Sequence, residues 1–251
     1  MPAIDLSVFT AVVFDTDGVV TDTARVHAAA WKRVFDDFLD GLPPSERTRP
    51  FDEHEDYLRY VDGRPRMDGV RIFLASRGIV LPEGGPGDEP GAFTVHTLGT
   101  VKDRLFAERL ETHGVATFPS TAALLAELRH SGGRTAAVSA SRHCRAVIAS
   151  AGWTHLFDVI VDGNDAARLG LAGKPDPALF REAAALLDVP PPRCALVEDA
   201  LPGIEAGRRG GFGLVVGVDR VGQAEALAAA GADVVVTDLA ELRVQGVAGA
   251  R

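Results

Sequence analysis

The fold class this sequence predicts is α/β, a doubly wound parallel sheet with an α-helical domain inserted after the first strand. Three observations lead there. From Pro119 onward, short apolar runs alternate with helical patterns, the signature of a parallel sheet covered by helices on both faces. One further apolar run, Ala11-Val12-Val13-Phe14, stands far upstream and reads as a buried strand. Between them, 24–115 shows helical spacing and turn residues but no convincing strand. The expected division is a core made of 1–23 and 116–251, carrying an α-helical cap made of 24–115.

The first strand covers 10–14 and runs into Asp15-Thr16-Asp17-Gly18. Asp22 and Thr23 are residue types that cap helices. His27, Trp31, Val34, Phe35 and Phe38 then recur at helical spacing, which predicts a helix over 24–40 that Pro43-Pro44 ends. Tyr57 to Val61 leads into a turn at Asp62-Gly63-Arg64-Pro65. Val70, Phe73 and Leu74 mark a second helix that stops near Gly78. Residues 82–91, rich in Pro, Gly and acids, read as a loop, and a third helix is expected over 101–113. The core pattern then predicts helix 120–131, strand 134–138, helix 142–151, strand 158–161, helix 177–187 and strand 194–197. Helix 202–209, strand 213–218, helix 222–230 and strand 233–236 complete it, with a frayed tail after Leu242. Trp153 and Phe157 read as core.

Composition narrows the partners. A net charge of −9 without any basic block argues against nucleic acid and anionic membrane surfaces. A few Lys and Arg residues can still make a phosphate pocket locally positive. No apolar stretch is long enough to cross a bilayer. Cys144 and Cys194 form neither a disulfide framework nor a metal-binding spacing, and are expected to be reduced and inert in a cytoplasmic protein. No basic segment precedes an apolar run at the N-terminus, so no secretory leader is expected.

Sheets of this class bind ligands at the carboxyl ends of their strands. The first strand delivers Asp15 and Asp17 there, and the strand 134–138 delivers Ser139, followed by Ala140-Ser141-Arg142. Lys174 lies in a loop before Pro175 and Pro177, and Cys194-Ala195-Leu196-Val197 delivers Glu198 and Asp199. Each has an ordinary alternative: an Asp-Gly turn, serine helix caps, a solvated lysine, loop acids before a helix. Together and in this order they match what phosphoryl transfer through an aspartyl-phosphate requires. One carboxylate attacks phosphorus, and a protonated neighbour serves the departing oxygen. A hard cation needs oxygen ligands, here Asp15 and Asp199 with Glu198 as a third candidate. That cation, Lys174 and the Ser139 hydroxyl neutralise the phosphoryl oxygens.

With these motifs in place, the chain resembles the haloacid dehalogenase superfamily of Mg²⁺-dependent phosphotransferases, in its Asp-x-Asp-Gly-Val branch with a helical cap after motif one. The resemblance spans about 9–237, through Asp15-Thr16-Asp17-Gly18-Val19, Ser139, Gly173-Lys174-Pro175 and Glu198-Asp199. Within that branch the β-phosphoglucomutase-like group is most similar. Thr21-Asp22-Thr23 with His27 and Ala30-Trp31-Lys32, and Val138-Ser139-Ala140-Ser141-Arg142, resemble its motifs, while Gly63-Arg64-Pro65-Arg66 and Lys102 fall where its cap carries basic residues. The resemblance implies Asp15 as nucleophile and Asp17 as acid/base. It implies Mg²⁺ on Asp15, Asp199 and the Asp17 backbone carbonyl, with Glu198 direct or through water. Arg66, Ser141 and Arg142 would hold the phosphate that is not transferred, while His27 and Lys102 would face the sugar. His27 shares a stripe with Trp31, so its own pattern leaves core packing equally open.

The implied partner is a small phosphorylated sugar, with the oligomeric state left open. The implied reaction is conversion of β-glucose 1-phosphate to glucose 6-phosphate through a glucose bisphosphate. The alternative is a phosphatase on the same scaffold, with water rather than a sugar hydroxyl as acceptor. His143 stands where that group carries Asn, Asp62 precedes Gly63, and the cap is longer around 82–95. These departures bear on which sugar is used more than on the reaction class. A phospho-accepting signalling module shares the Asp, Ser and Lys set, but it is shorter and lacks an insertion after strand one.

Overall fold

The structure is a computed structural model that describes residues 2–89 and 91–247. The chain divides into two compact units, Met1–Asp22 with Val115–Arg251, and Thr23–Gly114.

The first unit is built on a six-stranded sheet. Its strands are β2 (Ala11–Asp15), β3 (Arg134–Val138), β4 (Val159–Val161), β5 (Cys194–Glu198), β6 (Leu214–Val218) and β7 (Val234–Val236), in the order β4-β3-β2-β5-β6-β7. All neighbouring strands are parallel, with Ala11 opposite Arg134 on one side and Cys194 on the other. The chain fills one side of β2 first and then crosses to β5 on the other side. The carboxyl ends of β2 and β5 therefore flank the point where the winding reverses, which is where such sheets open a crevice.

Side-chain alternation explains why the central strands read as unbroken apolar runs. Val12 and Phe14 of β2 enter one core with Ala195 and Val197 of β5, whereas Ala11 and Val13 enter a second core with Cys194 and Leu196. A strand buried on both faces has no polar side to display. Helices α4 (Pro119–His130), α5 (Cys144–Ser150), α7 (Ala178–Leu186), α8 (Leu201–Gly210) and α9 (Ala224–Ala230) supply the covering layers.

The second unit holds α1 (Ala24–Asp40), α2 (Arg66–Ser76) and α3 (Val95–His113), with a π-helical turn at Tyr57–Val61. Its core is aromatic: Phe35 lies 4.0 Å from Phe73 and 5.3 Å from Phe51, ring centre to ring centre, and stacks on Trp31 at 5.0 Å. Beside this core a buried acid, Asp56, accepts from Arg49 and Arg77, each at 2.7 Å, and from the Asp52 amide at 2.9 Å.

Four elements differ from the sequence expectation. A two-stranded parallel sheet joins β1 (Ala3–Asp5) to β8 (Arg243–Gln245), so the segment after Leu242 opens with an ordered strand. Three residues carry too little alternation to announce a strand. A short helix α6 (Gly163–Leu169) follows β4, started by a reciprocal capping box between Asp162 and Asp165. Helix α3 begins at Val95, because Thr94 and Thr97 cap one another there, six residues before the expected start. Thr23 occupies the N-cap of α1 but makes no side-chain capping bond. Phe157 is buried in the first core and Trp153 is packed against it. Among the described residues, no helix is long and apolar enough to cross a membrane.

Candidate active site

The site collects at the carboxyl ends of β2, β3 and β5 in the first unit. Asp15 is the last residue of β2 and is 4% exposed. The chain turns immediately after it. Thr16 donates its amide to the Val138 carbonyl at 3.0 Å, and Gly18 donates to the Thr21 carbonyl at 2.8 Å. Gly18 adopts φ +87°, and a Cβ there would lie 1.8 Å from Asp199 Oδ2. Only glycine lets this backbone turn left-handed and come up against the Asp199 carboxylate.

Lys174 is the centre of a buried charge cluster. Its ammonium donates to Asp15 Oδ1 and to Glu198 Oε1, the latter at 2.5 Å, and all three side chains are buried. Glu198 has its second oxygen occupied by the Ala200 amide at 2.5 Å. Gly203 of α8 makes room for it, since a Cβ there would stand 1.7 Å from Glu198 Oε1. Burial pushes the Asp15 carboxyl well above the usual range. Lys174 opposes that rise, and the charges of Glu198 and Asp17 add to it. For Lys174, burial alone favours the neutral amine, but Asp15 and Glu198 together outweigh it and hold the ammonium charged.

Ser139 connects the second acid to β3. Its hydroxyl donates to Asp17 Oδ2 at 2.8 Å and accepts from the Ser141 amide at 2.9 Å. The turn-forming and site-building readings of this serine therefore coexist. Ser141 in turn accepts from the His143 amide at 3.2 Å, and Arg142 stands exposed on the same loop with its carbonyl held by Asn164 at 2.9 Å. Beneath the loop, the Thr16 hydroxyl lies 3.3 Å from the Cys144 thiol. Burial pushes that thiol far up, and pushes Cys194 up to about 12, so neither serves as a nucleophile.

Asp15, Asp17, Ser139, Ser141, Lys174, Glu198 and Asp199 thus meet at one end of the sheet. Arg142 lies exposed on the loop that carries Ser141, and the other three predicted residues, His27, Arg66 and Lys102, belong to the helical unit. There Lys102 is buried, with its ammonium 2.6 Å from His27 Nδ1, and His27 stacks on Phe106 with ring centres 4.0 Å apart. Lys102 also lies over the Trp31 ring at 5.1 Å. Arg66 is the first residue of α2 and forms an ion pair with Asp103, the neighbour of Lys102 on α3. Sequence reasoning missed Asp103 as a partner, and it also missed Gly203. A glycine inside the amphipathic helix α8 was the available signal, because such a residue is costly without a close approach to permit.

The donor set suits a hard divalent cation. Asp15 and Asp199 offer carboxylate oxygens, and the Gly18 turn admits the Asp17–Gly18 backbone to the Asp199 carboxylate. Among the described residues no three His, Cys, Asp or Glu side chains form a cage by themselves. Mg²⁺ does not need one, since it keeps several waters and takes one or two carboxylates.

An acid-rich, lysine-centred site at the switch point of a doubly wound sheet defines an enzyme of the phosphotransferase or phosphatase kind. The model of the haloacid dehalogenase-like hydrolases matches residues 9–211, and the chain belongs to that family. It is 45% identical over 239 residues to a β-phosphoglucomutase of Mycobacterium bovis, an alignment that covers 92% of this chain and 90% of the relative. Among solved structures it is similar to a β-phosphoglucomutase from Clostridium difficile, with a TM-score of 0.71, 24% identity and coverage of 93% and 92% of the two chains. A haloacid dehalogenase family hydrolase from Deinococcus radiodurans, solved with bound phosphate and sodium, matches with a TM-score of 0.64, 30% identity and coverage of 94% and 93%.

Proposed function

We propose that this chain is a Mg²⁺-dependent phosphoryl transferase that works through an aspartyl-phosphate on Asp15. Its most specific reading is β-phosphoglucomutase, converting β-glucose 1-phosphate to glucose 6-phosphate through a glucose bisphosphate. The observation that carries the reaction class is the Asp15–Lys174–Glu198 cluster beside an Asp17 that Ser139 orients. The mutase reading draws on the 45% identity to a protein of that name.

In the proposed cycle an Asp15 carboxylate oxygen attacks phosphorus, and the bond from phosphorus to the sugar oxygen breaks. Asp17 gives its proton to that departing oxygen. A sugar hydroxyl then attacks the phospho-aspartate, Asp17 takes the hydroxyl proton, and Asp15 is restored. Lys174 stays charged and balances the phosphoryl oxygens, with the Ser139 hydroxyl fixing the Asp17 carboxyl. Asp15, Asp199 and the Asp17 carbonyl would hold Mg²⁺, which when bound supplies further charge neutralisation at the transferring phosphoryl group. Glu198, with both oxygens engaged, would act through water. Arg66, Ser141 and Arg142 are proposed to hold the second phosphate, and His27 and Lys102 the sugar. A small phosphorylated sugar is the proposed substrate, and the cytoplasm the proposed location.

One observation favours the phosphatase as a second reading. Arg66 already has Asp103 as a counter-ion, which lowers its hold on a further anion. Phosphorus NMR of the protein with Mg²⁺, β-glucose 1-phosphate and a trace of glucose bisphosphate decides. Glucose 6-phosphate is the expected product, whereas inorganic phosphate alone selects the phosphatase. In the same assay Arg66→Ala should cripple the mutase rate while sparing hydrolysis of acetyl phosphate, because only the mutase needs a second phosphate held in a bidentate grip.

A further inference from the structure

The loop after β6 has no part in the chemistry described above, yet it reaches both acid-bearing strand ends. Asp219 fixes this loop on itself: its carboxylate accepts from the amides of Val221 at 3.2 Å, Gly222 at 2.7 Å, Gln223 at 2.8 Å and Ala224 at 3.1 Å. A loop held this way can aim its side chains. Gln223 donates to the Asp199 carbonyl at 3.2 Å. Arg220 donates from Nε to the Gly18 carbonyl at 2.9 Å and from Nη1 to the Thr237 carbonyl at 3.4 Å. The guanidinium carbon also lies over the Phe118 ring, 3.7 Å from its centre, and Phe118 donates its amide to the Val20 carbonyl at 3.4 Å.

Arg220 is a costly residue in this place. Burial disfavours its charge, with Asp199, Asp238 and Asp22 opposing that effect. Its Nη2 is buried and makes no hydrogen bond. A cation that is half desolvated and incompletely satisfied needs a reason beyond surface polarity. The reason lies at Gly18. Glycine leaves the turn after Asp17 conformationally loose, while the approach of that backbone to Asp199 tolerates little displacement. The turn's own bonds, from the Gly18 amide to the Thr21 carbonyl and from the Thr21 amide to the Thr16 carbonyl, engage its amides, and the Gly18 carbonyl takes its partner from outside the turn. Arg220 is that partner, one residue beyond Asp17, while Gln223 holds the backbone of Asp199.

We propose that Arg220 is a positioning residue of the phosphoryl-transfer site: by clamping the Gly18 carbonyl against the Phe118 platform, it sets the spacing between the Asp17–Gly18 backbone and Asp199. The inference rests on the phosphoryl-transfer reading, and its consequence is specific. The clamp governs affinity for the hard divalent cation and the rate of the chemical step, not capture of the phosphoester. Charge alone does not reproduce it, because a lysine lacks both the Nε–H directed at the carbonyl and the planar guanidinium that lies over Phe118.

The test compares wild type, Arg220→Ala and Arg220→Lys by calorimetric titration with Mg²⁺ alone and by acetyl phosphate hydrolysis, with far-UV circular dichroism and Tm as fold controls. The expected result is a Mg²⁺ dissociation constant raised about 10- to 100-fold in Arg220→Ala, the usual scale for losing an outer-shell support. At saturating Mg²⁺, kcat should fall by about 10-fold or more while KM moves less than about threefold. Arg220→Lys should remain close to the alanine variant in both readouts. If Arg220→Ala is folded and keeps wild-type Mg²⁺ affinity and kcat, the proposal is overturned. It is equally overturned if lysine restores both, because charge would then suffice. Should the alanine variant fail to fold, the lysine variant decides by the same two measurements. A wild-type protein that neither takes up Mg²⁺ nor hydrolyses acetyl phosphate would instead sink the phosphoryl-transfer reading itself, and this inference with it.

Discussion

Each unit sets a buried charge between two of the opposite sign, and the two triads are mirror images in sign. In the sheet unit a single cation, Lys174, lies between Asp15 and Glu198, with Asp17 and Asp199 close by on the same strand-end loops. In the helical unit a single acid, Asp56, lies between Arg49 and Arg77 and accepts an amide as well. The second arrangement is closed, since both Asp56 oxygens are engaged and Arg49 is shared with Glu55. The first carries more negative charge than its lysine balances, at a chain reversal where a ligand can enter. Buried ion pairs by themselves say little about function, because their desolvation offsets much of their attraction. The imbalance of charge, together with the strand-end position, separates the candidate chemical cluster from the structural one.

That contrast is broken or sharpened by substitution. The largest effect is expected for Asp15→Asn, which should abolish phosphoryl turnover while the protein stays folded. The amide is no nucleophile toward phosphorus, and Lys174 keeps Glu198 as its partner. Turnover by Asp15→Asn with any phosphoester, measured by phosphate release, would falsify the mechanism. Asp56→Ala should do the opposite. Removing the acid takes the carboxylate from the buried Arg77, while the half-exposed Arg49 keeps Glu55, and should destabilise the protein by about 3–5 kcal/mol in urea unfolding, the scale for breaking a buried pair. Should Asp56→Ala unfold at the wild-type urea midpoint, the contrast between a chemical and a structural triad fails.

A smaller and more selective change is expected for Asp17→Asn. Turnover should drop about 100-fold or more, the scale for a positioned proton donor. Mg²⁺ binding should survive, because the proposed ligand from this residue is its backbone carbonyl. Calorimetry of Asp17→Asn beside Asp199→Ala checks this. Equal loss of Mg²⁺ affinity in the two variants contradicts the division of roles.

The sheet unit was more legible in sequence than the helical one, for physical reasons. A strand buried on both faces must be apolar throughout, so Ala11–Phe14 and Cys194–Val197 announced themselves, and the polar residues that end them marked the candidate site. The helical unit positions its polar groups through side chains distant in sequence. Lys102 meets His27 across two helices, and Arg66 meets Asp103. No local period encodes such pairings. The spacing correctly placed Trp31 and Phe35 on a buried stripe, but it carried nothing about the acid that Arg66 would find. Short elements failed for a different reason. Helix α6 depends on one capping box, and the pair of β1 and β8 depends on three residues from each end of the chain. The Arg220 and Gln223 contacts are of the same kind as the Arg66 pair, set by tertiary register and invisible to a linear reading.

The chain leaves the sheet unit and returns to it at nearly the same place. Asp22 donates its amide to the Ala116 carbonyl at 2.8 Å, and Thr21 bridges Thr117 in antiparallel fashion. The whole of Thr23–Gly114 therefore springs from a two-stranded stem. In evolutionary terms the stem makes the sheet unit a host and the helical unit a guest. A short turn between Asp22 and Val115 would leave β2, its acids and its register untouched, because the entropy of closing the loop is already borne by the stem. A lineage can lengthen, shorten or replace such a guest without rebuilding the strand ends that carry Asp15, Asp17, Glu198 and Asp199.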